Sequence, residues 1–446
     1  MKQISEIFIK SFKCLNCFSL DLNKKCVSDS TCNINLLIGK NGAGKSTFLD
    51  ALYEIAINTN NPDKIFRHYI NDFDGEMICG NCSPENHENI EAKIPDNSLW
   101  KKVIRFYTGN SNRNIEYTNE VTSDYMSFAR DEVKFVLSAL FLSGAWNNAE
   151  NKEVIKDFKN IIFGEGITIE PYQMWIDVAN YDKDSFEIKK DNWISKDIKG
   201  LTRLYIKIPD IKDTQSSFSI LNTLLNAHYA ETNDEGVSIT PNTIIDTGFL
   251  YKKENCNGND NLYIDESLSD GELGLIRRFS LILLMKELKG EDNRSLLLMD
   301  EPETHFNENW KRHFIYLINE ALKDTYHDVF IATHSAMLIT DVKRDELYRF
   351  EFVNDKIKSY PVSINTYGAN VIDIGQALFD LEADIGERSK KEIEEAIDNN
   401  DKTALKKLLK QVGPGEWRWR IRSKINQIEQ RENCYYLRDK NNDKNS

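Results

Sequence analysis

The segment that most constrains this chain is Gly39-Lys40-Asn41-Gly42-Ala43-Gly44-Lys45-Ser46, which fits G-x-x-x-x-G-K-[ST]. Ahead of it, Ile34-Asn35-Leu36-Leu37-Ile38 has the apolar continuity of a buried strand. Beyond it, Ser46, Thr47, Phe48, Leu49, Ala51 and Leu52 continue as a helix. Strand, glycine turn and helix in that order form a phosphate-binding unit. Glycines let backbone N–H groups wrap phosphate oxygens without obstruction, and the helix amino terminus adds partial positive charge. Gly39, Asn41, Gly42, Gly44 and Thr47 are therefore expected in the cradle, Lys45 on the β and γ phosphates, and Ser46 on Mg²⁺.

Three further segments fit around this unit. Ser295-Leu296-Leu297-Leu298-Met299-Asp300-Glu301 is an apolar strand ending in two carboxylates. In a P-loop protein a carboxylate at that strand end helps hold Mg²⁺, the role expected of Asp300. Glu301, one residue on, points differently and is the expected general base for the attacking water. Leu268-Ser269-Asp270-Gly271-Glu272 precedes a helix expected from Leu273 to about Leu288. Its Ser269 hydroxyl and Gly271 amide read either as a helix cap or as an anion site for a γ-phosphate. Val329-Phe330-Ile331-Ala332-Thr333-His334-Ser335 is a strand followed by a histidine.

The pentapeptide at Ser269 resembles the Leu-Ser-Gly-Gly-Gln signature of ATP-binding-cassette (ABC) ATPases, and His334 resembles their switch histidine. The order P-loop, signature, Asp-Glu strand and histidine is the ABC order. Within that superfamily the chain resembles the SMC, RecF and OLD branch. The carriers are the opening strand with Ser11-Phe12-Lys13, the Gly39–Gly44 turn, and Asp300-Glu-Pro-Glu-Thr-His-Phe-Asn307 where a D-loop belongs. More narrowly, Val103-Ile-Arg-Phe-Tyr-Thr-Gly109, Leu268–Glu272, Glu301–Asn307 and Ala332–Ser335 look like the stand-alone AAA family ATPases of bacterial anti-phage systems. Examples are the PtuA subunit of Septu, its retron-associated relatives and the AriA subunit of PARIS.

The resemblance implies ATP and Mg²⁺ as cofactors, ATP hydrolysis, and two heads that sandwich ATP. Lys45, Ser46, Asp300, Glu301 and His334 of one protomer would face Ser269 and Gly271 of another, so a homo-oligomer is expected. It also implies a separate effector nuclease or toxin. The alternative is a RecF/SMC-like ATPase of DNA repair or recombination. No glutamine has the setting of a Q-loop; the middle of the chain offers Gln173 and Gln215.

Composition bounds these readings. The 446 residues carry 57 Lys/Arg against 71 Asp/Glu, net −14, which disfavours sequence-blind coating of nucleic acid. No apolar run is long enough to cross a bilayer. Lys2, Glu6, Lys10 and Lys13 break up the opening segment, so no signal peptide is expected and the protein is read as cytoplasmic. Its cysteines are then reduced thiols. Cys14/Cys17 and Cys79/Cys82, with His87, offer zinc ligands, but the pairs are far apart and the first lies in strand-like alternation; plain thiols are the reading taken.

The fold expected is α/β, an ABC-type P-loop ATPase head with an inserted α+β region and a C-terminal helical segment. Its divisions are 1–57, the Walker A part of the head; 58–261, an insertion or lid with part of the head; 262–370, the signature, Walker B and histidine part; and 371–446, helical. Residues 58–98, rich in Asn, Asp and Pro, read as an irregular surface insertion, Phe128–Leu142 as one helix, and Glu254–Asp260 as a loop. Sustained heptads are absent, so no coiled-coil arm is expected. After His334 neither a Toprim pattern nor a His-Asn-His constellation appears, which disfavours a self-contained nuclease.

Helices are expected over 385–430, broken at Gly413-Pro414-Gly415, with Trp417, Ile421, Ile425 and Ile428 on one face. From Asp401 to Lys440 eleven Lys/Arg stand against five Asp/Glu. The plainer reading is an amphipathic helix with a solvated basic face; the sharper one is nucleic-acid contact through Arg418, Arg420, Arg422 and Lys424.

Overall fold

A computed structural model describes residues 4–22, 32–57, 68–72, 77–80, 100–107, 125–164, 168–211, 215–229, 241–254, 260–264, 267–380 and 385–442. The chain divides into two compact units, Met1–Ile374 and Gly375–Ser446.

The first unit begins with β1 (Ile4–Phe12), β2 (Leu15–Asp21), β3 (Asn33–Ile38), α1 (Lys45–Ile57), β4 (His68–Asp72), β5 (Met77–Gly80), β6 (Val103–Tyr107) and β7 (Tyr125–Ala129). It continues through α2 (Val133–Leu142), α3 (Lys152–Phe163), β8 (Thr168–Ala179), β9 (Ile194–Ile198), β10 (Leu201–Lys207), α4 (Ser217–His228), β11 (Thr243–Glu254) and β12 (Asp260–Ile264). Then come α5 (Asp270–Lys286), β13 (Leu296–Asp300), α6 (Glu308–Leu322), β14 (Asp328–Ala332), the single turn α7 (Ala336–Ile339), β15 (Leu347–Val353) and β16 (Lys356–Pro361), while α8 (Val371–Phe379) runs across the division at Ile374.

A seven-stranded sheet in the order β16-β15-β3-β14-β13-β6-β7 carries the site. Every neighbouring pair is parallel except the β15–β16 hairpin. Strands β6, β13 and β14 are buried at every residue, which is why they are mostly apolar, with charged residues only at Arg105, Asp300 and Asp328. Helix α1 covers the sheet: Phe48, Leu49 and Leu52 pack with Leu37, Leu296, Leu298 and Phe330 in one core that also takes in Phe18 and Phe350.

A four-stranded antiparallel sheet, β2-β1-β4-β5, lies in the same unit. The expectation of an irregular insertion over 58–98 is corrected there, because β4 and β5 are strands. β5 pairs with β4, and β4 pairs in turn with β1, more than fifty positions away, which local composition does not signal. A third, antiparallel sheet runs β12-β11-β8-β10-β9, with Met174, Ile176, Val178, Leu204, Ile206, Ile244 and Phe249 buried. Residues 255–259, most of the expected loop, lie outside the described residues.

Phe128 also departs from expectation. It belongs to β7, and the helix starts only at Val133. The four-residue turn between them is closed by Glu132, whose amide donates to the Ala129 carbonyl (3.1 Å) and whose carboxylate accepts from the Ala129 amide (2.7 Å).

The second unit packs α9 (Glu387–Asp398), α10 (Lys402–Gln411) and α11 (Glu416–Asn442) around Ile393, Ala396, Leu405, Leu408, Trp417, Ile421 and Ile425. Asp401 caps α10 by accepting from the Thr403 and Ala404 amides. Gly413-Pro414-Gly415 separates α10 from α11, where the sequence places the break. Arg418 donates to the Val412 carbonyl and Arg420 pairs with Glu416 at 2.6 Å, while Arg422 is exposed and Lys424 half-buried. Among the described residues no helix is long and apolar enough to cross a membrane.

Candidate active site

Parallel pairing brings the three expected segments to one end of the sheet. The ladder runs on past the strand ends: the Glu301 amide donates to the Ala332 carbonyl (2.9 Å) and the Thr333 amide to the Leu37 carbonyl (3.0 Å). The loop after β3, the carboxylates after β13 and the histidine after β14 are thereby level, at the carboxyl ends where open α/β sheets take ligands.

Glycine is required in the loop. Gly39 and Gly44 have φ of 147° and 85°, and a Cβ on Gly39 would meet the Phe350 carbonyl oxygen at 2.3 Å. Asn41 is exposed at the tip, and a Cβ on Gly42 would meet nothing within 4 Å. Lys45 is only 5% exposed, and its Nζ donates to the carbonyls of Gly39 (2.9 Å) and Lys40 (3.2 Å) and stands 2.8 Å from His334 Nε2. Burial lowers its pKa to about 8, against the opposing pull of Glu301, Asp300 and Glu303. His334 is held below the usual imidazole range by burial and by the Lys45 cation. Its Nε2 lies 3.3 Å from Glu301 Oε1.

Ser46 Oγ donates to Asp300 Oδ1 at 2.9 Å. A hydroxyl and a carboxylate converging at the P-loop are hard oxygen donors suited to Mg²⁺, and a buried ammonium turned onto loop carbonyls suits a polyphosphate. The residues present therefore fit both ATP and Mg²⁺. Thr47 sits half-buried beside Cys14, with 3.5 Å between Oγ1 and Sγ.

The signature residues are placed differently. Ser269 is the N-cap of α5: its Oγ accepts from the Glu272 amide (3.2 Å) and donates to Glu272 Oε2 (2.7 Å), which also accepts from the Ser269 amide (2.8 Å). This is a capping box. Gly271 is buried, and a Cβ there would meet the His305 carbonyl oxygen and the Trp310 ring, each at 2.7 Å. The missing side chain lets α5 close onto the loop after Glu301.

Several charged residues around the site escape the motif reading. Glu303 is 6% exposed; its Oε1 accepts from Thr333 Oγ1, its Oε2 has no hydrogen-bond partner, and burial raises its pKa. Arg278 on α5 is 1% exposed, with its guanidinium 5.0 Å from both the Phe106 and Phe306 ring centroids and with Nε and Nη2 unbonded. Arg105 on β6 pairs with Asp50 on α1, which Lys13 joins at 2.7 Å. The available signal was a cation in a core phase: Arg105 interrupts an apolar strand, and Arg278 falls on the buried face of α5.

Gln173 lies in β8, opposite Lys207 and Leu250, and Gln215 precedes α4. Residues 108–124, which follow β6, lie outside the described residues, as do Cys82 and His87; Cys14 and Cys17 are exposed.

The AAA ATPase domain family matches the chain over residues 1–261 and 54–339. No curated protein matches. Among solved structures, the chain is similar to the SMC head domain from Thermotoga maritima (13% identity, TM-score 0.36, 81% of this chain and 100% of that one). It is similar to the SMC head bound to the C-winged helix domain of ScpA (12%, 0.36, 81% and 98%). It is also similar to MJ1267, an ATP-binding cassette of an ABC transporter (15%, 0.32, 85% and 97%). With a P-loop, an acidic strand end and a histidine level on one sheet, the chain belongs to the AAA ATPase domain family and is an ATPase that uses ATP with Mg²⁺.

Proposed function

We propose that this ATPase works as paired heads and that its ATP cycle controls a separate effector, a nuclease or toxin, in defence against phage. The observation that carries the mechanistic part is the hydrogen-bonded set of Lys45 with His334 and Ser46 with Asp300, with Glu301 beside the histidine. Lys45 leaves the Gly39 and Lys40 carbonyls to meet the β and γ phosphates. Ser46 and Asp300 hold Mg²⁺, which supplies charge neutralisation at the phosphate oxygens. Glu301 orients the attacking water and takes its proton, and His334 holds Glu301 and the γ-phosphate in register. Ser269 and Gly271 of a second protomer close the site, giving a head-to-head dimer.

In this reading residues 1–57 and 262–370 are the head, 58–261 an insertion or lid that also supplies part of the head through β6 and β7, and 371–446 a helical segment available to partners. Support for the defence role is the resemblance of Leu268–Glu272, Glu301–Asn307 and Ala332–Ser335 to the ATPases of anti-phage systems. The test is expression with the neighbouring reading frame in a phage-sensitive host. Protection should need both proteins and should vanish with Lys45→Ala. ATP-dependent DNA binding by the chain alone, with no protection, would overturn it in favour of a RecF-like repair role.

A further inference from the structure

The signature patch at the start of α5 is electrostatically unsuited, by itself, to a γ-phosphate. It carries two carboxylates, Asp270 and Glu272, and the Ser269 hydroxyl already donates to Glu272. Asp270 is 79% exposed, so its charge faces solvent beside Ser269. A triphosphate arriving from another protomer meets net negative charge unless a cation stands there too.

One cation does. Arg130 sits at the tip of the turn that joins β7 to α2. That turn is rigid: Glu132 bonds the Ala129 amide and accepts from the Tyr229 hydroxyl at 2.7 Å. Its two central residues grip α5 reciprocally, Arg130 toward Asp270 (3.6 Å) and Asp131 toward Arg277 (3.5 Å). The second guanidinium arm of Arg130 lies 3.3 Å from Nε2 of His305, a residue at φ 71° in the loop after the catalytic carboxylates. Both contacts are long for a guanidinium, which makes shorter bidentate bonds with an oxyanion when one is present. Arg130 is thus placed on a fixed turn but held loosely at its head, with a third of its side chain exposed.

We propose that Arg130 is a trans-acting catalytic residue: it reaches the γ-phosphate of ATP held by the P-loop of the partner protomer. In the reaction the water oxygen bonds to the γ-phosphorus as the bond to the β,γ-bridging oxygen breaks. The electron pair stays on ADP, and the water proton passes to Glu301. Arg130 stabilises the charge spread over the transferring phosphoryl oxygens and offsets Asp270 and Glu272. This rests on the head-to-head reading above, because within its own protomer Arg130 belongs to the signature face.

The test is complementation by mixing. Arg130→Ala should cut kcat about 100-fold or more while KM for ATP moves by less than about threefold. An exposed pair is worth little to stability, so its melting temperature should match wild type, with Arg130→Gln as a second variant should Arg130→Ala fold poorly. Mixed with inactive Lys45→Ala, Arg130→Ala should recover roughly one quarter of wild-type turnover, since half of re-paired dimers are mixed and each has one intact composite site. Ser269→Arg mixed with Lys45→Ala is the control. If the control recovers and the Arg130→Ala mixture does not, Arg130 acts in its own protomer's site, and the proposal is overturned while head-to-head pairing stands. If neither recovers, head-to-head pairing itself is overturned. Full activity of Arg130→Ala alone overturns the proposal directly.

Discussion

Lys45 Nζ and His334 Nε2 stand 2.8 Å apart, so the histidine ring accepts from the ammonium and must be neutral at that nitrogen. Burial and the cation both keep it so. The same burial brings the lysine to about 8, within reach of ordinary buffers. ATP binds the charged ammonium, so affinity is full below that value and falls as pH rises through it, by up to about tenfold per unit. Calorimetry in buffers of different ionisation enthalpy should detect proton uptake on binding near pH 8.5. Affinity that stays flat from pH 7 to 9 would contradict the assignment.

Glu301 is the expected base, and it adopts a left-handed backbone at φ 46°. Glu301→Gln should slow hydrolysis about 100- to 1,000-fold and let an ATP-bound dimer accumulate on size exclusion. Unchanged turnover removes Glu301 from the mechanism. Glu301→Gly should be equally inactive yet more stable than Glu301→Ala by about 1 kcal/mol, because glycine adopts that φ without cost.

Ser269 is a helix cap in the structure and an anion ligand in the proposal, and one substitution separates the two. Ser269→Ala should cost about 1 kcal/mol in denaturant unfolding. Ser269→Asp still accepts from the Glu272 amide but cannot donate to Glu272 Oε2, and it sets a third carboxylate beside Asp270 and Glu272. It should therefore lose about as much stability as Ser269→Ala, while ATP-dependent assembly is lost in the aspartate variant and weakened less in the alanine one. Normal assembly of the aspartate variant would leave Ser269 a cap and nothing more.

Arg278 lies between two aromatic rings with two nitrogens unbonded, and burial lowers its pKa to about 9. A buried cation without hydrogen-bonded partners adds little net stability. Arg278→Met, of similar length and apolar, should therefore unfold at the same denaturant concentration as wild type or a higher one. Arg278→Ala, which leaves a cavity, should lose about 2–4 kcal/mol.

The central site was legible because each of its parts is a local pattern: a glycine turn between strand and helix, two carboxylates after an apolar strand, a histidine after another. Arg130 and Glu303 were not, since their placement depends on which turn packs against α5 and which hydroxyl Thr333 presents. Nor was the strand character of 68–72 and 77–80, which arises from pairing of β4 with β1 and of β5 with β4. Phe128 reads as helical in the sequence because its apolar neighbours continue into α2; the turn that separates them depends on one Glu132 side chain. Gly271 carried an ambiguous signal, and the structure gives it a packing role against His305 and Trp310.

The interleaving of the central sheet also sets an order of events during synthesis. Asn33 on β3 meets its β14 neighbour Asp328, which is 295 positions later. At ordinary ribosomal speeds the P-loop strand waits roughly 15 to 60 s before that neighbour has been translated. Throughout that interval an apolar strand has an open edge, the state most prone to mispairing between nascent chains. The nucleotide pocket is therefore completed after most of the chain has been made, and a ribosome that stops before residue 328 releases a product without one.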